Sequence, residues 1–431
     1  MKLTIQKKNF KLYYIKAIEW GKLISITSGA QLVVQVTTVL SGILTIRLLP
    51  TSEYALYTLV NTMLGAMMVL ADSGIASGVM AQGGKVWQDR EKLGAVMTTG
   101  LQLRKKLAII ALLVVAPLLL YLLLHHGASP LVSSLIMLCL IPAFYASLSD
   151  IILEVPLKLR QEILPLQKNQ VEVSLSRLLL TGLTVFLFPF TFVAVLAGGL
   201  PRIWANIRLT KISGKFADLT QHADADVKTE IVAFVKRFMP GAIYYCISGQ
   251  ITIWVISIFG STTAVAQIGA LGRISMILGL FVGLFSFLVI PRFARLTKDS
   301  PQLRSRYVQL HFGLLLFSAI VISFVWIFQS QFLWVLGSGY ADLNDELILS
   351  IIGSCMGLIS GQSFTLATSR GWAIKPIISI PISILAMVLG ILLFDISTLR
   401  GVLIYNIFLG AIQVIVNATY GYIKIVKTQL A

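Results

Sequence analysis

The feature that most constrains this chain is a succession of apolar runs, each long enough to cross a bilayer. A helix needs roughly twenty such residues to span the hydrocarbon core. Runs of that length fall at about 23–46, 54–80, 107–124, 131–153, 171–188, 190–209, 238–259, 264–290, 309–328, 346–368, 376–394 and 401–423. They predict an all-α polytopic membrane protein of about twelve transmembrane helices. The fifth and sixth runs are parted only by the turn Phe188-Pro189-Phe190. Composition agrees: 57% of the 431 residues are hydrophobic and 12% charged, about half the charge of an ordinary soluble chain.

The formal net charge is +17. A continuous basic face would point to nucleic acid, but here the charge is cut into small clusters between apolar runs, which reads as membrane orientation. With the N-terminus inside, 30 of the 35 Lys and Arg fall in cytoplasmic segments. Arg47 and Arg400 fall outside, and Arg177, Arg202 and Arg273 are left in or near the apolar runs. Moving the count by one helix would put the basic clusters outside, so both termini are expected in the cytoplasm. The lysine-rich start leads into a long helix without a cleavage site, so the first span is read as an uncleaved insertion signal.

The most polar stretch, 210–237, divides the chain into lobes at 1–209 and 238–431 with six spans each. An even number per lobe keeps both in the same orientation and predicts parallel repeats with a substrate site between them. Polar residues line one face of the first helix (Ser28, Gln31, Gln35, Thr38), the second (Asn61, Gly65, Met68, Asp72) and the seventh (Gly241, Tyr245, Ser248, Thr252). The spacings of three and four put each set on one side. Hydrogen bonds between helices would account for one such stripe; matching stripes in both lobes favour a shared cavity.

Cys139, Cys246 and Cys355 lie in apolar runs without CxxC spacing, which suits packing better than metal or disulfide. The histidines show no ligand spacing, with His125 and His126 on an external turn. There is no Walker A and no GxSxG motif. No enzyme chemistry and no cofactor is expected.

The segment Thr45-Ile46-Arg47-Leu48-Leu49-Pro50-Thr51-Ser52-Glu53-Tyr54-Ala55-Leu56-Tyr57 resembles the signature joining the first two helices of Wzx-type polysaccharide flippases. Leu70-Ala71-Asp72-Ser73-Gly74-Ile75, Phe259-Gly260-Ser261-Thr262-Thr263-Ala264-Val265-Ala266 and Leu336-Gly337-Ser338-Gly339-Tyr340 are similar to further elements of that family. The chain departs from the pattern at Pro50, where Gly-Pro is usual, and at Ala55, where Gly is usual. The resemblance covers essentially the whole chain. It implies a member of the multidrug/oligosaccharidyl-lipid/polysaccharide exporter superfamily with two six-helix lobes that open alternately. It implies a cargo of undecaprenyl-diphosphate-linked oligosaccharide, flipped across the bacterial cytoplasmic membrane for O-antigen, capsule or exopolysaccharide. A polysaccharide polymerase and a chain-length regulator would be partners, besides membrane lipid. The alternative is an ion-coupled multidrug/toxin exporter, which would favour acidic over basic cavity residues. A membrane glycan polymerase or ligase would carry a longer external loop.

The residues expected to bind cargo are Arg177, Arg202, Arg273, Gln31, Gln35, Asn61, Tyr245 and Arg47. An arginine at the bilayer centre costs about 2.5–3.5 kcal/mol on insertion scales, and guanidinium groups form forked hydrogen bonds to phosphate. For Arg177 and Arg202 the competing reading is snorkelling to the cytoplasmic surface. Arg47 would also serve as an interfacial anchor paired with Glu53. Asp72, the clearest acid within a span, is the candidate for coupling to H+ or Na+, against an arginine partner or a cap beside Ser73-Gly74. Asp150 and Glu154 are expected at the cytoplasmic interface.

Overall fold

The computed structural model describes residues 29–290, 293, 296, 302–370, 372, 374 and 376–430. The lysine-rich arm lies outside the described residues. The described chain is all-helical, in two lobes. The first lobe holds α1 (Gly29–Leu48), α2 (Thr51–Asp72), α3 (Ile75–Val86), α4 (Arg90–His125), α5 (Pro130–Leu153), α6 (Val155–Leu159), α7 (Ile163–Leu187) and α8 (Thr191–Ser213). The second holds α9 (Ala225–Phe259), α10 (Thr262–Ser275), α11 (Leu278–Leu288), α12 (Gln302–Ile327), α13 (Gln329–Leu336), α14 (Asn344–Thr368), α15 (Pro376–Leu393) and α16 (Leu399–Leu430).

Among the described residues ten helices are long and apolar enough to cross a membrane, or eleven with the bent pair α10–α11 taken as one span. The protein is therefore a multi-pass membrane protein. The sixth expected span is present as α8, but Arg202, Asn206, Arg208 and Lys211 make it less apolar than the others. α4 begins well before the expected 107, so Arg104, Lys105 and Lys106 are helical rather than part of a loop. Arg104 is only 2% exposed.

Two breaks shape the first lobe and the seam. α2 ends where Ser73 and Gly74 both take positive φ, at 38° and 92°. Glycine adopts that conformation freely and most side chains do not. Phe238 of α9 also crowds Gly74, with its Cβ 2.9 Å from where a Cβ at 74 would stand. The break between α10 and α11 bends the span by 42°. Gln35 of α1 donates to the Met276 carbonyl at that break, at 3.1 Å, the kind of side-chain insertion that kinks a helix.

The lobes meet along α2, which packs on α9 and α10 as well as on α4 of its own lobe. One apolar core runs through both, from Tyr54, Leu59 and Met63 to Val265, Leu271 and Leu347. A smaller core around Ile75, Val79, Met97, Leu209 and Ile231 sits at the end carrying the basic clusters.

Candidate functional site

Tyr57, in the second turn of α2, is the point on which the site is built. It is 4% exposed. From the first lobe, Arg177 of α7 donates through Nη2 to the Tyr57 hydroxyl at 3.2 Å. From the second lobe, Arg273 of α10 places its charge close to Tyr54 and Tyr57, and the buried Tyr54 hydroxyl has no hydrogen-bond partner among the described residues. Gly42 of α1 makes room for it: a Cβ there would stand 3.0 Å from Arg273 Cδ. Arg177 thus points inward to a tyrosine and does not snorkel.

A cavity of 170 Å³ opens beside this cluster, lined by Tyr57, Asn61, Arg177 and Arg202 among small residues such as Ala143, Gly198 and Gly199. Asn61 donates to the Tyr57 carbonyl at 2.7 Å, which holds it on the cavity face. Drug-sized sites usually enclose about 300–1,000 Å³. In this conformation the cavity has room for a small polar head and not for a whole cargo.

Arg202 pairs with Asp150 at 2.7 Å, and Asn206 donates to the other oxygen of Asp150 at 2.6 Å. Asp150, in the last turn of α5, is 3% exposed: the Arg202 partner turns it into the lobe. Three guanidiniums therefore stand at or beside the cavity with one carboxylate among them. That excess of positive charge suits an anion, which can accept forked hydrogen bonds from several arginines.

The other expected residues divide. Gln31 donates to Gln170 at 3.0 Å and to Gln167 at 3.3 Å, both on α7, so it ties its own lobe together. Gln35 crosses to the other lobe through Met276. The Tyr245 side chain lies outside the described residues. Asp72 pairs with Arg104 and accepts from the Ala76 amide at 3.2 Å. It is thus both an arginine's partner and a cap at the Ser73-Gly74 break.

Arg47 does not pair with Glu53, contrary to expectation. It donates to the Val335 carbonyl at 2.8 Å and the Trp334 carbonyl at 2.5 Å, and it lies 4.9 Å from the Trp334 ring centroid. These are end carbonyls of α13, where the helix dipole attracts positive charge. Glu53 instead accepts from the amide and hydroxyl of Thr191, at 2.7 and 2.6 Å. Arg47 thus borders a separate cavity of 920 Å³ between the lobes, which Tyr57 does not line, at the end away from the basic clusters.

Sequence reasoning missed Tyr57 and Tyr54 as site residues, although both lie in the quoted α1–α2 motif. It also missed Gln250 of α9, whose Nε2 lies 3.4 Å from where a Cβ at Gly65 would stand, within the polar stripe of α2.

Neither a family model nor a curated protein matches the sequence. Solved structures do match the fold. One is a multidrug resistance MATE family transporter of the MOP superfamily in an inward-facing conformation: TM-score 0.72 and 14% identity, over 92% of this chain and 96% of that one. The outward-facing conformation of such a transporter gives 0.62 and 14%, over 95% of each chain. A MOP superfamily transporter from Pyrococcus furiosus, described as having a binding pocket of reverse polarity, gives 0.64 and 16%, over 94% and 95%. At these identities the likeness is one of fold, a MATE-like transporter fold. It agrees with the two-lobed all-α fold expected from the sequence. It does not single out the polysaccharide flippases.

Proposed function

We propose that this chain is an ion-coupled exporter of the multidrug/toxin kind, working by alternating access, and that its cargo is an amphiphile with an anionic head. The fold supports the first part. The second rests on one observation: Arg177 and Arg273, one from each lobe, converge on Tyr57 beside a cavity that Arg202 also lines. A head held by both arginines would couple the lobes, and the 170 Å³ space would widen as they part. The apolar part of the cargo would stay against lipid. Coupling to H+ or Na+ through Asp72 belongs to the same reading, with Arg104 as the group that a bound ion would compete against.

A second reading, favoured by the same arginines, is a flippase for undecaprenyl-diphosphate-linked oligosaccharide in a bacterial cytoplasmic membrane, acting with a polymerase and a chain-length regulator. A diphosphate offers several oxygens to a guanidinium fork. Organic cations, by contrast, would meet like charge at this cavity.

The test uses the purified protein in liposomes, with farnesyl diphosphate as anionic probe and ethidium as cationic probe. The anion should bind and be transported. Arg177→Ala and Arg273→Ala should each weaken its binding by roughly tenfold or more, the scale of a lost charge-assisted hydrogen bond. Arg273→Lys should recover only part of that, since it restores charge without the fork. Preference for ethidium, or unchanged binding in all three variants, would end the anionic reading. Deleting the gene separates the two cargo classes: accumulated lipid-linked glycan with loss of surface polymer marks the flippase, and altered drug tolerance with intact glycan marks the exporter.

A further inference from the structure

His126 follows the last turn of α4, at the end of the bundle away from the basic clusters. It joins the two lobes. Its Nε2 lies 3.0 Å from the Ser257 carbonyl and 2.9 Å from the Ser257 hydroxyl, both on α9. Its Nδ1 lies 2.9 Å from the Thr262 hydroxyl, in the first turn of α10. The ring is 8% exposed and Ser257 is fully buried.

These partners suit a neutral ring. A carbonyl can only accept, so Nε2 carries the proton and donates to Ser257. Nδ1 is then bare and accepts from the Thr262 hydroxyl. A second proton on Nδ1 would force that hydroxyl to turn its hydrogen away. It would also place an imidazolium against the N-terminus of α10, the positive end of the helix dipole. Burial adds to this and holds the His126 pKa below its ordinary 6.5.

The Ser257 carbonyl and the C-terminal ends of α4 and α9 favour the charged ring, but among the described residues no carboxylate pairs with it. His125, on the same helix, meets the ring edge-on with centroids 5.3 Å apart and would add like charge. The last turn of α9 and the first turn of α10 carry no charged residue. Glu53, near this end of α2, is occupied by Thr191. The nearby Arg47 tie between the lobes keeps its charge at every physiological pH.

We propose that His126 is a proton-binding site whose protonation releases the lobes from each other on the outer side. It rests on the alternating-access reading above, and the outer side is the one assigned by the count of basic residues. Parting the lobes hydrates the imidazole and returns its pKa toward 6.5, so a proton binds the open form more tightly than the closed one. The sign follows from linkage. The closed form keeps its full advantage above the open-state value. It loses that advantage as pH falls from about 6.5 toward the lower closed-state value. External protons would in this way open the outer side and be carried inward when it closes.

The experiment places spin labels at Leu131→Cys and Ser330→Cys, exposed positions at this end of the two lobes, with Cys139, Cys246 and Cys355 replaced by alanine. Distances are read by electron–electron double resonance in liposomes from pH 8 to pH 5. In the otherwise native protein the open population should rise on acidification, with the open-to-closed ratio changing by up to about tenfold per pH unit, as one proton requires. His126→Gln keeps a donor for Ser257 and an acceptor for Thr262 but does not titrate, so it should stay closed throughout. Thr262→Val should shift the ratio toward open at pH 8 and leave the titration in place. An unchanged pH response in His126→Gln, or none in the native chain, overturns the proposal. Farnesyl diphosphate added at pH 8 separates the two readings. If it moves the labels while pH does not, alternating access stands and His126 is not the proton site. If neither moves them and nothing is transported, the exporter reading falls and this one with it.

Discussion

In the first lobe Arg104 meets Asp72, Arg202 meets Asp150 and Arg208 meets Glu172, all between helices. In the second lobe neutral groups make the corresponding links. Ser354 donates to Ser275 at 2.8 Å, Gln413 to Ser383 at 2.6 Å and Asn417 to Ser360 at 3.0 Å, and His311 shares a proton with Ser363 at 2.9 Å. The one ion pair seen there among the described residues, Arg400–Asp345, is exposed. A buried ion pair seldom improves stability over an apolar pair of the same shape, because desolvation offsets the attraction. In the first lobe Arg104 and Asp150 bear that cost, while the Arg208–Glu172 pair is partly exposed. The first lobe is thus the one whose helices are linked by charge. The charge that the second lobe brings to the seam is Arg273, beside Tyr54 and Tyr57.

Arg104 gives the largest effect expected from that contrast. Asp72→Asn removes the carboxylate and leaves a guanidinium that is 2% exposed without its counter-charge. Breaking one side of a buried pair costs about 3–5 kcal/mol. Thermal unfolding in detergent should show a large loss, and Asp72→Asn combined with Arg104→Met should regain most of it. Full stability with lost transport would instead mark Asp72 as an ion-coupling residue and not chiefly a structural partner.

A smaller effect is expected inside the second lobe. His311 donates through Nδ1 to the Tyr307 carbonyl at 2.9 Å and presents Nε2 as acceptor to the Ser363 hydroxyl. Ser363→Ala leaves one nitrogen unpaired in a packed interior, worth about 1–3 kcal/mol. A loss equal to that of Asp72→Asn, in the same unfolding measurement, would mean that the neutral lobe is strung as tightly as the charged one.

Most of the helix plan was legible in the sequence, because a run of some twenty apolar residues has one good fate in lipid. The plan blurred where charge entered the runs. Arg104 was read as loop because a local window takes charge as a boundary, and its partner Asp72 is 32 residues away. α8 loses apolarity to arginines whose acids lie on α5 and α7. The site was half legible. Arginines stand out in apolar sequence, and two of them do face Tyr57. Tyrosines in such sequence look like core, so the residue that gathers the arginines was passed over. His126 looked like a turn residue, since its partner Ser257 is 131 residues away. The bend after Ser275 also had no local signal, because the group that caps it comes from α1.

Arg400 and Asp345 bound the contrast from below. Their side chains are 64% and 74% exposed and 3.9 Å apart. At that exposure water and salt screen the attraction, and holding two long side chains in register costs entropy, so such pairs contribute about 0–1 kcal/mol. Arg400→Ala should therefore leave the unfolding temperature unchanged within error, at low salt and at high. Arg400 begins α16 and Asp345 begins α14, two helices packed along much of their length, and that packing does not need the charge. A salt-dependent loss on Arg400→Ala would show that the second lobe relies on charge after all. The division between a lobe linked by ion pairs and one linked by neutral groups would then rest on depth of burial alone.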